Sequence, residues 1–568
     1  MKKLLIHSNN TSFNRTEIFS ISEQFVFDVD FDKDVDFYID NNLKSGDLKE
    51  KLENIDIVFI KVSLSQNYLE YIGLRLAYHI RLTKSLGEKA NIPIIFIAEE
   101  SLQFLGFTYS EPSILFTKGI YLIKETIEDY QEAMIYFNDG RIKPLDDFPI
   151  FISSITINSP ANYLSHHSIS NEWSILRWAK VLAIPEDNTL LQDIKNNIEG
   201  LLYYKFLQSK FPIESESNEA SFKIQGKGKI LYIDDEWNKG WNVVFNNFLS
   251  ISPNLEKDFE VFEYEFKDKT EDIIIKDCEN KIKDSDPAIV VLDLRLAESD
   301  FETNKKTSSL TGFKILQITK EMNPGIRVII FTASNKVWNL IELQNAGADG
   351  FVLKESPELG VNKNYTKTSV EKFALLIQEQ LKYQFQKELF LKCKDIRANL
   401  LQHTNEENED YNKLINILIK QINIIYSSIS LINLKKQITL DIVFLTCYNF
   451  LELFKSYYLI YKKDYRYYLG FEDIDLLRYN VSGGIVGSDG PFIANGRFDS
   501  PSWFVIQAAL FIDYFKVSVS PDFSEVVNLK RISDKRNDYI HSTKKSFDSA
   551  EVKLIIEALN NACKQIKE

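Results

Sequence analysis

The sequence predicts an α/β architecture joined to an all-α one, with doubly wound parallel sheets at the front and a four-helix bundle at the end. Three observations predict it. Residues 227–356 alternate near-continuous Val/Ile/Leu/Phe runs with helical stretches, the pattern of a parallel sheet covered on both faces. Similar strand frames recur in residues 1–125. Beyond residue 361 the apolar positions fall at spacings of three and four, the period of amphipathic helices.

At 568 residues the chain is too long for one core, and a prior of ~150 residues per domain gives three to four units. We divide it into residues 1–125, 126–226, 227–360, 361–435 and 436–568. A hydrophobic content of 44% with 26% charged residues fits globular material, and no run is apolar enough to span a bilayer. The start, MKKLLIHSNN, is cut by Ser8, Asn9 and Asn10 well short of a signal-peptide core and reads as a strand. Cys278, Cys393, Cys447 and Cys563 are far apart and form no Cys-x-x-Cys pair, so neither a disulfide framework nor a zinc site is suggested and a reducing cytoplasm fits. A net charge of −14 excludes nucleic-acid binding by the molecule as a whole; any such binding has to be local.

In chain order, KKLLIHSNN, IVFIKVSLS, PIIFIAEES and GIYLIKE are the strands of the first unit. Residues 126–226 hold two helical stretches, NEWSILRWAKVLAI and NTLLQDIKNNIEGLLYYKFLQ, and a polar linker, PIESESNEASFKIQGKG. His166 and His167 lack a carboxylate or cysteine at ligand spacing and read as a turn.

In residues 227–360 the strands GKILYIDDE, AIVVLDLRL, IRVIIFTAS and GFVLKES each end in polar residues. The carboxyl ends of parallel strands line the binding crevice. That rule gathers Asp234, Asp235, Asp293, Thr332 and Lys354 at one edge. Three carboxylates at close range repel unless a hard cation with oxygen ligands, such as Mg²⁺, relieves them. The bland alternative is that each merely solvates a strand end.

This segment resembles the receiver domain of two-component response regulators, a flavodoxin-like fold, over about 130 residues and with the family's residues in order. The resemblance implies that Asp293 accepts a phosphoryl group from a sensor histidine kinase. It implies Mg²⁺ held by Asp234, Asp235, Asp293 and the backbone carbonyl of Arg295. Thr332 and Lys354 would bind the phosphoryl oxygens, and Phe351 would be the switch aromatic. Two features depart from the family: Glu355 follows the lysine where proline is usual, and a polar insertion, AESDFETNKKTSS (297–309), adjoins the acceptor. The insertion either covers the site or meets the kinase.

Against this frame the first unit reads as a degenerate receiver, with Ser8 and Asn9 in place of the acidic pair, Lys61 at the acceptor position and Ile97 for the threonine. An ammonium there precludes phosphorylation. Lys61 either mimics the metal's charge or is structural.

After the second sheet, Ser369 caps a long helix, VEKFALLIQEQLKYQFQKELFLKCKDIRANLLQ, with Glu371 in its first turn. YNKLINILIKQINIIYSSISLINL folds back on it. In residues 436–568, LDIVFLTCYNFLELFKSYYLIYKK, PSWFVIQAALFIDYF, the stretch around Arg536 and SAEVKLIIEALNNACKQI make up the bundle, interrupted by VSGGIVGSDGPFIANG. No basic recognition helix appears, which disfavours DNA binding. The segment LKRISDKRNDYIHSTKK is a basic patch in an acidic chain. It resembles HEPN domains, whose Arg-Asn-x-x-x-His motif is matched by Arg536, Asn537 and His541. That resemblance implies a homodimer and metal-independent RNA cleavage, with histidine as acid or base and arginine on the phosphorane, in stress or anti-phage responses. The alternatives are a silent interaction module and coincidence.

The sequence thus predicts a cytoplasmic response regulator of a phosphorelay. The rival is a non-enzymatic phosphate-accepting adaptor whose bundle binds a protein partner.

Overall fold

Short runs of β-branched and aromatic residues build two separate sheets in the computed structural model. It describes residues 1–457 except 10–20, 22, 29–33, 66, 68–69, 162, 164–167, 186, 214–221, 253–257, 303–304, 334–336, 357–364 and 404–408. It also describes 460–463, 466–469, 474–475, 532, 535–541 and 546–564. The first sheet comprises β1 (Lys3–Ser8), β2 (Glu23–Phe27), β3 (Ile57–Lys61), β4 (Ile94–Ile97) and β5 (Ile120–Ile123). The second comprises β6 (Ile230–Ile233), β7 (Phe259–Val261), β8 (Ile289–Leu292), β9 (Arg327–Thr332) and β10 (Gly350–Leu353). Both are wholly parallel, with orders β2-β1-β3-β4-β5 and β7-β6-β8-β9-β10. The order reverses direction beside the first strand of each sheet, and there the strand ends open a crevice.

The helix Ile127–Asn138, read from sequence as the start of the connector, instead covers the first sheet by burying Tyr130 and Ala133 against Phe59 and Ile95. The connector proper carries helices Phe148–Ser154, Ile169–Val181, Thr189–Ile198 and Leu202–Lys210. Helix Ile169–Val181 serves both units: Ile169 and Trp173 enter the first core, while Ile175, Trp178 and Val181 enter the second. His166 and His167 lie outside the described residues.

The helix expected to run unbroken to Gln402 is two helices, Tyr365–Leu381 and Phe385–Gln402, and Ser369 lies inside the first rather than capping it. At the break, the amides of Lys382, Tyr383 and Gln384 bond three residues back, to Glu379, Gln380 and Leu381, which tightens the chain into a turn. The first helix buries Val370, Phe373 and Ile377 in the second sheet's core. The second buries Leu389, Phe390, Cys393 and Leu400 in a different cluster. Asn323, donating to the Lys387 carbonyl at 3.1 Å, fixes the junction.

That cluster is a bundle of helices Phe385–Gln402, Glu409–Ser430, Ile438–Tyr457 and Ser549–Lys564. Two of the four come from the segment expected to be a linker. The helix expected over 440–463 ends at Tyr457, and β11 (Ile460–Lys463) pairs antiparallel with β12 (Arg466–Leu469), followed by β13 (Ile474–Asp475). The stretch 501–515 and the glycine-rich loop 481–496 lie outside the described residues.

A buried charge network ties the connector to the first unit. Asp36 accepts from Arg75 Nε at 2.5 Å, from His79 Nε2 at 2.9 Å and from the Leu202 amide at 2.9 Å. Lys205 Nζ reaches His79 Nδ1 at 3.2 Å and Thr83 Oγ1 at 2.8 Å, and pairs with Asp40 at 2.5 Å. An ammonium only donates, so Nδ1 accepts and the proton sits on Nε2, leaving His79 neutral between Lys205 and Asp36. Complete burial lowers the His79 pKa to about 4, and Lys205 pushes the same way, against the pull of Asp36.

The sign follows from linkage. The unfolded histidine takes up its proton first, so this stability is present above pH ~6.5 and is lost as pH falls towards 4. Urea unfolding is expected to lose about 3 kcal/mol across that window from this group. His79→Gln, which keeps one donor and one acceptor, should flatten the slope; an unchanged slope in the variant would refute the assignment.

Candidate functional site at the carboxyl edge of the second sheet

Parallel pairing brings the ends of β6, β8, β9 and β10 to one edge, and each strand delivers a polar residue there. Asp234 follows β6, Asp293 follows β8, Thr332 ends β9 and Lys354 follows β10; all four are buried. Lys354 Nζ lies 2.8 Å from Asp293 Oδ2 and 3.0 Å from Asp234 Oδ2. The Lys354 amide donates to the Thr332 carbonyl at 2.7 Å, so lysine and threonine stand side by side. Asp234, Asp235 and Asp293 each offer a carboxylate oxygen within 4.8 Å of the others.

The oxygens of Asp234 are committed inside the protein. Tyr232 Oη donates to Oδ2 at 2.7 Å, and the Glu236 amide donates to Oδ1 at 2.8 Å. Asp293 Oδ1 accepts from the Leu294 amide at 2.6 Å. Asp235 is half-buried and lines a cavity of about 370 Å³ shared with Trp237, Tyr264, Phe266, Leu296 and Ala297.

The site carries more negative charge than one ammonium neutralises. Burial raises the Asp235 carboxyl far above the usual range, and Asp234 and Asp293 push it further. Burial also raises Asp293, with Lys354 opposing and Asp234 reinforcing the shift. Lys354 stays protonated because Asp234 and Asp293 outweigh its desolvation. A set of hard oxygens with surplus negative charge is the donor chemistry that Mg²⁺ requires, so these residues fit that ion.

Gly312 shows how tightly the edge is built. It opens the helix Thr311–Met322, and a Cβ there would lie 2.2 Å from the Asp293 carbonyl oxygen. The insertion 297–309 folds round the buried Asp300. Its Oδ2 accepts from the amides of Leu296 and Ala297 at 3.0 and 3.1 Å, and Lys305 Nζ donates to Oδ1 at 2.8 Å. The Thr311 amide donates to Asp300 Oδ1 at 3.2 Å, so the described part of the insertion meets the first residue of that helix. Arg295 is exposed, its guanidinium 5.6 Å from the centre of the Phe301 ring. Phe351 is half-buried in β10 against a cluster that includes Ile330 and Leu343. Glu355, in place of proline, is buried and bonded to the connector helix: its amide donates to Ser174 Oγ at 3.1 Å, and its carboxylate meets Arg177 Nε at 3.1 Å.

The first sheet repeats this frame closely enough to compare position by position. Ile6 pairs with Ile60 as Ile233 pairs with Leu292, so His7 and Ser8, rather than Ser8 and Asn9, occupy the places of Asp234 and Asp235. Phe96 pairs with Ile60 as Ile330 pairs with Leu292, so Ala98, rather than Ile97, stands where Thr332 does. Sequence reasoning matched similar letters and slipped by one residue; counting from strand pairs corrects it. Ile97 pairs with Ile123 as Phe331 pairs with Val352, and two residues on Glu125 takes the place of Lys354. Lys61 Nζ lies 3.2 Å from Glu125 Oε2. The ion pair of the second site is therefore present in the first with its charges exchanged. Gly73 repeats Gly312, its hypothetical Cβ 2.2 Å from the Lys61 carbonyl oxygen.

At the other end of the chain, residues 535–540 are helical. Arg536 is half-buried, with its guanidinium 5.1 Å from the centre of the Tyr448 ring and Nη1 3.1 Å from Asn537 Oδ1. His541 is exposed in the turn that follows, its amide donating to the Asn537 carbonyl. Among the described residues, no hydrogen bond joins the Arg536 and His541 side chains.

No helix among the described residues is long and apolar enough to cross a membrane. No curated protein matches the chain. Residues 7–123 match the family described as an inactive receiver domain, and the N-terminal α/β unit, with lysine at the acceptor position and the ion pair exchanged, is receiver-like.

Proposed function

We propose that the chain is a response regulator of a phosphorelay, in which Asp293 takes a phosphoryl group from the phosphohistidine of a sensor kinase while the front unit serves as an unphosphorylated regulatory partner. The observation that carries this reading is the contact of Lys354 with both Asp293 and Asp234, at an edge where three carboxylates converge. The family match supports a receiver-like regulatory role; it covers the front unit, where Lys61 is no phosphoacceptor, and the phosphorylation proposed here belongs to the second unit.

The chemistry is one displacement. An Asp293 oxygen attacks phosphorus, the P–N bond to the donor imidazole breaks, and that nitrogen leaves with the bonding pair. Asp234, Asp235, Asp293 and the Arg295 carbonyl would hold Mg²⁺, which supplies charge neutralisation at the phosphoryl oxygens. Lys354 places a second positive charge there, and Thr332 offers a hydroxyl for the new acyl phosphate. Phe351, paired with Ile330 two residues before Thr332 on the neighbouring strand, is the proposed switch aromatic.

For the output, the HEPN-type reading assigns Arg536, Asn537 and His541 to metal-independent RNA cleavage. His541 lies in the turn beyond the helix that carries Arg536, and among the described residues no hydrogen bond joins their side chains, so that reading calls for a homodimer in which two copies complete one site. The adaptor reading draws on a specific observation: Arg536 is already engaged with Tyr448 and Asn537.

Incubation with Mg²⁺ and a labelled small phosphodonor, such as acetyl phosphate, is expected to label the wild type and leave Asp293→Ala blank. Label that persists in that variant would overturn the reading. Lys354→Ala should slow labelling by roughly 10²-fold. Because Asp235 and Asp293 hold protons above the usual carboxylate range, Mg²⁺ uptake near neutral pH should release protons and tighten as pH rises. Calorimetry in buffers of different ionisation enthalpy reads this directly, and binding heats independent of the buffer would contradict it. For the output, total RNA incubated with phosphorylated wild type should be cut, and His541→Ala should leave it intact; identical outcomes would leave the adaptor.

A further inference from the structure

One helix of the connector touches the immediate neighbours of three of the site's strand ends. On the β6 side, Asn171 Nδ2 donates to Glu236 Oε2 at 2.5 Å, and Glu236 is the residue whose amide holds Asp234. Trp241 Nε1 donates to Asn171 Oδ1 at 2.8 Å, fixing that amide's orientation. At β9, Trp178 lies edge-on to Phe331, next to Thr332, with ring centres 6.0 Å apart. On the β10 side, Ser174 and Arg177 hold Glu355, next to Lys354, and Thr366 bridges Arg177 Nε at 2.9 Å and Glu355 Oε1 at 2.7 Å.

The same helix reaches the front unit. Arg177 Nη1 donates to the Phe211 carbonyl, and Phe211 ends the helix Leu202–Lys210. That helix begins at the amide held by Asp36 and carries Lys205 into the His79 network. Arg177 and Glu355 are 4% and 1% exposed. Each also keeps a buried polar atom without a hydrogen-bond partner, Arg177 Nη2 and Glu355 Oε2. A fully buried ion pair with unused polar capacity is a costly way to brace a fold; an apolar pair of the same volume serves stability as well or better. An arrangement that leaves stability unspent in this way is suited to a joint with a second packing.

We infer that helix Ile169–Val181 is a coupling element: a phosphoryl group arriving at Asp293 draws on Thr332 and Lys354, shifts the Glu355–Arg177 joint, and is felt by helix Leu202–Lys210 on the inactive front unit. This rests on the function proposed above and adds the direction of the signal, backwards along the chain to the front unit. The two-state element is the buried joint, whose equilibrium both units bias.

The test is hydrogen exchange on the full-length protein with Mg²⁺ alone and with Mg²⁺ plus beryllofluoride, a phosphoryl mimic. Fluorine resonance of bound beryllofluoride reports site occupancy separately. In the wild type, occupancy is expected to change exchange in residues 202–210 by about fivefold or more, the low end of typical coupling. The double variant Arg177→Met with Glu355→Met keeps volume and removes both charges, so it is expected to fold. It should bind beryllofluoride and lose the change at 202–210. Occupancy without any change at 202–210 in the wild type would overturn the coupling and leave the site reading standing. An equal change in the double variant would overturn the role of the joint. Absence of beryllofluoride binding in the wild type would overturn both readings together.

Discussion

Surplus negative charge at the carboxyl edge of the second sheet is the constraint on which the rest of the molecule depends. Parallel strands deliver Asp234, Asp235 and Asp293 to one place because pairing registers β6 against β8. Among the described residues, the ammonium of Lys354 bridges two of them. In water such repulsion is screened; in a buried edge it is not, and the carboxyls respond by holding protons. A hard cation with oxygen ligands is the kind of group that would relieve such repulsion. The site's neighbours are correspondingly fixed: Tyr232 and the Glu236 amide on Asp234, the Leu294 amide on Asp293, and a glycine wherever a side chain would intrude.

The front unit solves the same geometric problem without the surplus. His7, Ser8 and Ala98 remove the carboxylates and the hydroxyl, and Lys61 with Glu125 leaves a closed, neutral ion pair at the place of Asp293 with Lys354. With one charge of each sign, both about one-eighth exposed, no cation is called for. The frame survives because it is set by packing: Gly73 and Gly312 admit a helix start against the strand-end carbonyl whatever the strand carries. Fold and chemistry are thus separable here, with the sheet order shared and the site exchanged.

Much of this was legible in the sequence because the determinants are local. A buried parallel strand needs a continuous apolar run, and the polar residue that ends it is visible by eye, which is why Asp234, Asp293, Thr332 and Lys354 could be placed on one edge. Three things were not legible. The register of the front sheet is set by pairing between strands, so matching letters placed Ser8 and Asn9 one residue late and Ile97 one residue early. The break after Leu381 lies in a sequence of uninterrupted helical period, with neither glycine nor proline to mark it; it is imposed by two cores that claim successive turns of one chain. And two of the partners of Glu355 lie far away in sequence, at Ser174 and Arg177, beyond any spacing rule.

Those distant partners change what the second unit is. The helix face of the second sheet beside β6 and β9 is not left bare. Here that face is occupied by the chain itself: Trp178 sits among Trp241, Phe331 and Phe373, and the connector helix Ile169–Val181 is as much a part of the core as the sheet. Under the coupling inferred above, movement at Lys354 or Thr332 is passed on to that helix, because close-packed interiors transmit displacement. On the opposite side, Asp235 faces a cavity between Trp237, Tyr264 and the start of the insertion. In the reading proposed above, chemistry enters by that side and its mechanical consequence leaves by the other, along a helix that begins in the first unit's core.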